Sequence, residues 1–471
     1  MQDAELQKKI DAWIEENLDQ MTEDAIELTK IRSVSERGEG GYPYGTGCAR
    51  VLDLALSFAQ RMGFETDNQD YYSGTALMRG ETDRQLGIFG HLDIVPEGDL
   101  ANWDFPPYEA KLQDGYVIGR GSSDNKCPAV TSLYTMKCIR DLGLPMKHSV
   151  LMYFGCEEEA GMSDIEHYLE NHPAPEFSFT SDGRYSLCNG EKGILTADLT
   201  TDVSDCCIVN FDGGQASNMV PDYAKVVLRG NEAGKLRSEL SDEFNVTGQS
   251  DGTVIVEANG IAGHAAFPEG SVSAIQKLAA ALLAHAALDK KSERVIRFLA
   301  DGFADYYGTG LHIDSEDAVF GKTTAVGGRV FVKEGRLHQL LNVRYAAGVD
   351  QEEMIADLCR TCGAYGYTAE QIKNDPPMYI SPEDPCVRLL HETANEFLDG
   401  TYVPYVMGGG TYARKIPRAV AYGPTTRKID ATDVLRYGEG HQPNEGMKVS
   451  DMTTGVRIYV NALLRLDALL K

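Results

Sequence analysis

The sequence predicts an α/β protein: a domain with a mostly parallel sheet flanked by helices, interrupted by an inserted α+β domain. Three observations carry this expectation. In the first 187 residues, short apolar runs such as Leu86–Phe89, Ser149–Phe154 and Phe177–Thr180 alternate with segments of helical spacing. From about Cys188 the texture changes to strand-like pieces around a long Ala/Leu-rich helix. Near Ser381 the first texture returns and runs to the end. The expected boundaries are therefore 1–187 and 379–471 for the interrupted domain and 188–378 for the insert. A chain of 471 residues is too long for one core in any case.

Each element has a local reason. Residues 1–32 place Leu6, Ile10, Trp13, Ile14 and Leu18, then Ala25, Ile26, Leu28 and Ile31, on helical stripes. A Gly-rich loop, Glu39–Gly47, leads to a helix over Ala49–Met62 that Gly63 can stop. Strands are expected at Ala76–Met78 and Leu86–Phe89, a helix at Cys127–Leu142, and strands at Ser149–Phe154 and Phe177–Thr180. In the insert, Val226–Leu228 and Gly252–Ala258 read as strands, Val272–Ala287 as a helix, and Ala300–Tyr307 as an acidic aromatic stretch. Helices over Cys386–Phe397 and Met452–Leu469 close the chain.

Composition excludes several functions. Forty-four Lys and Arg against 71 Asp and Glu give a net charge of −27, which argues against a nucleic-acid groove or an anionic membrane surface. No apolar run approaches the roughly 18 residues of a membrane span. The charged amphipathic N-terminus has no apolar h-region, so no signal peptide is visible. Ten scattered cysteines suit reduced thiols in a cytoplasmic protein. The one CxxC, Cys359 and Cys362, lacks a second pair and reads as ordinary helix-face cysteines.

Chemistry concentrates in loops after the buried strands. His91 and Asp93 stand two apart, so an extended backbone projects an imidazole and a carboxylate on one side. Asp124 follows Gly119-Arg120-Gly121 at the head of an expected helix, where it is either a ligand or an N-cap. Glu157, Glu158 and Glu159 follow a fully apolar strand, and three like charges there need a cation unless they are a solvated run. Asp182 follows the next strand, and His441 lies in a polar loop that would suit a surface histidine. In an open α/β sheet such loops gather at the carboxyl ends of the strands. Two carboxylates and a histidine placed this way suggest a hydrolase metal site.

Taken together and in order, these residues resemble the M20 family of metallopeptidases, the aminoacylase and carnosinase type. The resemblance rests on Gly90–Pro96, Gly119–Gly121 with Asp124-Asn125-Lys126, Glu158-Glu159, Asp182 and His441. Within that family the PepV-like dipeptidases are the most similar, through Asn189–Gly193, Phe211–Pro221, Asn342–Tyr345 and Gly408–Arg414. The resemblance implies a two-metal site in which Asp124 bridges, His91 and Asp182 complete one ion, and Glu159 and His441 complete the other. Zinc is the metal implied first, with manganese or cobalt as alternatives. Asp93 would orient His91, and Glu158 would be the general base. The family pattern acid-Glu-Glu-x-Gly sets that register through Gly161. His264 would hydrogen-bond the oxyanion. Asn218, Arg344, Gly409, Gly410 and Thr411 would close around the substrate, with Arg344 and the glycines suited to a terminal carboxylate.

The implied function is hydrolysis of dipeptides with a free C-terminal carboxylate by a cytoplasmic monomer, with the insert acting as a lid that supplies His264 in cis. An N-acyl-amino-acid deacylase or another M20 amidohydrolase is the alternative. A non-catalytic peptide-binding relative would have lost a ligand or the base, and none is missing here. Two positions depart from the family: Glu157 stands where Asp or Asn is common, a minor change, and Cys127 stands where Asp-x-Lys is usually followed by Gly. Cysteine would be strained there at positive φ and unstrained if the helix begins there. Its thiol, close to Asp124, also offers a target for oxidation or a soft metal.

Overall fold

The helical stripes of the first sixty residues become α1 (Gln2–Thr29) and α2 (Gly45–Arg61) in the computed structural model. The structure describes residues 2–38, 41–398, 401–428 and 435–470, so Glu39 and Gly40 of the expected Gly-rich loop lie outside the described residues. The chain divides into two units. The first comprises Met1–Gly190, Ile380–Tyr405 and Gly410–Lys471, and the second comprises Glu191–Tyr379 and Val406–Gly409.

The first unit is built on β1 (Glu65–Gln69), β2 (Ser73–Met78), β3 (Gln85–His91), β4 (Ser149–Gly155) and β5 (Phe177–Thr180). Its sheet runs β1-β2-β4-β3-β5, continuing through Ala419–Ala421 to Cys188–Glu191. The centre is parallel: β4 with β3, β3 with β5, and β5 with Ala419–Ala421. Antiparallel strands β1 and β2 finish one edge, a feature that the alternation of strands and helices did not reveal. All seven residues of β4 are buried, as a central parallel strand covered on both faces requires. Ile88 pairs with Met152 at the middle of the core, and neither meets solvent. Truncating either to Ala should cost about 2–5 kcal/mol.

Register positions the chemistry. His91 of β3 lies opposite Gly155 of β4, and Phe89 lies opposite Thr180 of β5. Three parallel strands therefore end at one level, and the loops after them leave from one edge. Helix α3 (Cys127–Asp141) packs against α1 and against the closing helix Val449–Leu469.

The second unit carries an eight-stranded antiparallel sheet. Its strands are β6 (Gly193–Asp202), β7 (Ile208–Gly213), β8 (Tyr223–Leu228), β9 (Phe244–Gly248), β10 (Val254–Asn259), β11 (Thr324–Lys333), β12 (Arg336–Tyr345) and β13 (Thr368–Asp375). They lie in the order β9-β10-β8-β7-β11-β12-β6-β13. Burial alternates along β8 and β10, the pattern of a sheet packed on one face. The helix expected at Val272–Ala287 is shorter, Ala274–His285, because Val272 pairs with Ile261 and Ser273 caps the first turn by accepting from Gln276 N–H. Residues near Ala300 belong to a helix, Lys290–Gly302, capped by Asp289. Cys359 and Cys362 sit on the helix Gln351–Ala364, one exposed and one in the core. Among the described residues no helix is long and apolar enough to cross a membrane.

Candidate metal centre

His91 ends β3 with its ring buried. Nδ1 faces the carbonyl oxygen of Asp93 at 3.0 Å, which fixes its proton there and leaves the Nε2 lone pair outward. Nε2 stands 3.0 Å from Asp124 Oδ1 and 3.8 Å from Asp182 Oδ2. The Asp93 carboxylate is farther from the ring, at 3.5 Å, and accepts instead from the backbone N–H groups of Glu158 and Glu159 at 3.1 and 3.0 Å. One aspartate thus ties the end of β3 to the loop after β4.

That loop separates its three glutamates. Glu157 turns away and accepts from Ser163 N–H at 2.8 Å, at the start of the helix Ser163–Asn171. Glu158 and Glu159 turn toward His91, and none of the three is a freely solvated charge. Asp164, fully buried, accepts from the N–H groups of Cys156 and Glu157 at 2.7 and 3.0 Å, and from the Tyr412 hydroxyl. The Tyr412 ring stands edge-on to His91 at 6.4 Å.

Asp124 does not cap α3. It is extended, at φ −134° and ψ 88°, and the helix begins three residues later. Cys127 has ordinary helical dihedrals (φ −66°, ψ −40°), so it carries no strain where the family has glycine. Its thiol lies in the core, and burial pushes its pKa up, which removes it as an oxidation or soft-metal site. Glu445 arranges Asp124, and nothing in the spacing pointed to it. This buried carboxylate accepts from Arg120 Nη1 (2.7 Å), the N–H groups of Gly121 (2.9 Å), Ser123 (2.8 Å) and Asp124 (3.1 Å), and the Ser123 hydroxyl (3.0 Å).

His441 closes the group. It is exposed, has a positive φ of 67°, and puts Nε2 2.9 Å from Glu159 Oε1 and 3.1 Å from Asp124 Oδ2. A Cβ on Gly440 would lie 2.8 Å from that same oxygen, so only glycine lets the loop come so close. The two oxygens of Asp124 therefore face one histidine each. Ligand atoms of His91, Asp124 and Glu159 lie within 4.8 Å of one another, and so do those of His91, Glu158 and Asp182.

The donor set fits divalent cations. Burial raises the pKa of Glu158, with Asp182, Glu159 and Asp93 adding repulsion against the opposing pull of His91. Glu159 is raised for the same reason, with Asp124 adding repulsion against the opposing hydrogen bond from His441. His441, hydrogen-bonded to Asp124 and Glu159, is pushed up to about 11. Glu158 Oε1 is buried without a hydrogen-bond partner among the described residues. Packed carboxylates, imidazoles and an orphaned oxygen are what a cation satisfies.

The profile of Peptidase family M20/M25/M40 matches residues 87–465. The chain belongs to this family. It is 30% identical over 467 residues to the Beta-Ala-Xaa dipeptidase of Lactobacillus delbrueckii subsp. lactis, covering 95% of this chain and 96% of that protein. In fold it is similar to human carnosine dipeptidase 1, with a TM-score of 0.58 at 14% identity over 98% of this chain and 99% of that one. It is likewise similar to an M20 family metallo-carboxypeptidase of Sulfolobus solfataricus, with a TM-score of 0.57 at 17% identity over 94% and 98%.

The second unit of this M20 chain gathers four other candidates. His264 Nδ1 accepts from Ala266 N–H at 3.2 Å, so the proton rests on Nε2. Ala265 N–H donates to the Asn218 carbonyl at 2.8 Å, holding those two segments together. Arg344, on β12, donates to Asn342 Oδ1 and to the Gly408 carbonyl, each at 2.8 Å. A Cβ on Gly408 would lie 2.6 Å from Ala266 Cβ, so this glycine, rather than its neighbour Gly409, permits the close approach. Gly410 and Thr411 belong to the first unit, where the Thr411 hydroxyl caps the turn at Tyr412–Arg414 by accepting from Ala413 N–H.

Proposed function

We propose that this chain is a metal-dependent dipeptidase that hydrolyses short peptides with a free C-terminal carboxylate. The observation that carries the reading is Asp124, whose two oxygens each face a histidine that is itself beside a further acid. The Beta-Ala-Xaa dipeptidase, similar along nearly its whole length, supports the substrate class.

In this reading His91, Asp182 and Asp124 would hold one divalent ion, and Glu159, His441 and Asp124 would hold the other. Such ions, zinc first and manganese or cobalt in its place, would supply Lewis acidity and lower the pKa of a water there. Glu158, buried beside the candidate ligands with one oxygen uncommitted, takes the proton from the attacking water and passes it to the leaving amine. Asp93 keeps the His91 proton on Nδ1 through its carbonyl and fixes the Glu158 and Glu159 backbone through its carboxylate. His264 donates Nε2–H to the oxyanion. Asn218, Arg344, Gly409, Gly410 and Thr411 receive the substrate. The second unit acts as a lid in cis on a monomer. The ten free cysteines support a reducing, cytoplasmic setting.

The test is amine release from Leu-Leu and from N-acetyl-leucine by the metal-loaded chain, with and without chelator. Chelator-sensitive cleavage of the dipeptide alone is the expected result. Cleavage of the acetylated compound alone would make the chain a deacylase.

A further inference from the structure

A cavity of about 460 Å³ opens in the second unit, lined among others by Phe267, Tyr307, Phe320, Lys192, Thr324 and Gly408. Its place is given by two short chains of contacts. On one side Ala266, also in its wall, donates to His264, and Gly408 rests on Ala266. On the other, Thr324 of β11 is the register partner of Arg344 on β12, and Arg344 holds the Gly408 carbonyl. The cavity thus adjoins the group assigned to the oxyanion and the group assigned to the substrate carboxylate, all within one unit.

The wall says what would enter. Phe267 is 64% exposed and offers apolar ring surface to whatever enters the cavity. Tyr307 and Phe320 add further aromatic surface, and Tyr307 is held in place by donating to Glu269 and by the Lys322 ammonium 4.7 Å above its ring. Lys192 donates to the Lys322 carbonyl at 2.5 Å, and burial lowers its pKa. Two lysines and two glutamates (Glu269 and Glu316) line the cavity, so no excess charge selects an ionised side chain. Thr324 is 3% exposed, yet its hydroxyl has no hydrogen-bond partner among the described residues. A buried hydroxyl in that state is an invitation to a polar atom of a ligand.

We propose that this cavity receives the side chain of the C-terminal residue of the dipeptide. It prefers a large aromatic one, and a phenol over a plain phenyl ring because Thr324 can bond the hydroxyl. The proposal rests on the dipeptidase reading above and adds its side-chain preference.

The experiment measures kcat/KM of the metal-loaded, full-length chain for Leu-Ala, Leu-Phe and Leu-Tyr. The expected order is Leu-Tyr over Leu-Phe over Leu-Ala, with about tenfold or more between the extremes. Thr324→Val, which keeps the shape, should bring the Leu-Tyr to Leu-Phe ratio to about one. Phe267→Ala, at an exposed position outside the core, should shrink the aromatic preference mainly through KM. Equal rates on all three substrates, or ratios untouched by both substitutions, would overturn the pocket while leaving the dipeptidase reading intact. Failure to cleave any dipeptide with metal bound would overturn that reading, and the pocket with it.

Discussion

Arg120 donates to Glu445 at 2.7 Å where neither side chain meets solvent, with the Trp103 ring 5.1 Å from the guanidinium. The pair spans 325 positions of sequence and joins the loop that carries Asp124 to the loop that carries His441. Two of the ligands proposed for one ion thus depend on a single buried carboxylate.

Removing one partner of such a pair leaves an uncompensated charge, at a cost of about 3–5 kcal/mol. Glu445→Ala should therefore lower the melting temperature strongly. Glu445→Gln, which keeps acceptors for the backbone N–H groups, should fold better but weaken metal binding by about 10–100-fold. Calorimetric titration with zinc reads the second effect apart from the first. Unchanged affinity in Glu445→Gln would show that the ligands need no such support.

Glu158 is predicted to be dispensable for binding and essential for turnover. Glu158→Gln should take up two metal ions per chain, measured by elemental analysis, while kcat falls by about 10²–10⁴-fold, the range of general acid–base catalysis. Full activity in that variant would move the base to another residue.

What the sequence revealed and what it hid divide on physical lines. His91, Asp182 and the paired glutamates were visible because parallel strands are continuous apolar runs, and polar residues just past them stand out. Glu445 and Asp164 were not, since a carboxylate that binds backbone N–H groups across hundreds of residues leaves no periodic or local mark. The hairpin β11–β12 was hidden for a different reason. Gly327 and Gly328 interrupt its first strand, and its turn, Glu334-Gly335 with both φ positive, lacks the Asn-Gly or Asp-Gly signature. The N-cap reading of Asp124 failed because Asp124 is extended and the residue that precedes the helix is Lys126, already at helical dihedrals.

Asp164 carries a pH prediction. Burial, with repulsion from Asp93, pushes its carboxyl up to about 7 from an ordinary value of 3.8. Between those values the folded chain holds a proton that the unfolded chain has released. Its contribution to stability is therefore full below the unfolded value and falls as pH rises toward 7. Asp164→Asn cannot titrate, so the melting-temperature advantage of the native chain over this variant should shrink from pH 4.5 to 7.5. A constant difference would mean that the hydrogen bonds from Cys156, Glu157 and Tyr412 keep Asp164 ionised throughout.

Cysteine reactivity should follow burial. Iodoacetamide on the native chain should label the exposed Cys359 and leave Cys127 untouched until the protein unfolds. Restoring the family residue with Cys127→Gly should lower stability by about 1 kcal/mol or more, because glycine is a poor helix former and the core loses a side chain. Early labelling of Cys127, mapped by mass spectrometry, would place the start of α3 in an open state.

The last prediction concerns His264. Because Nδ1 accepts from Ala266 N–H, the neutral ring has its proton on Nε2 and can donate without first gaining a charge. Loss of an oxyanion donor costs about 10²–10³ in kcat, so His264→Ala should fall by that much while KM changes less. A donor supplied in cis makes each chain self-sufficient. Mixing His264→Ala with Glu158→Ala should then yield no recovery, since each chain lacks one half of the chemistry and cannot borrow it. Recovery toward a quarter of native activity in an equimolar mixture would mean that the donor crosses between two copies, and the proposed monomer would have to give way to a dimer.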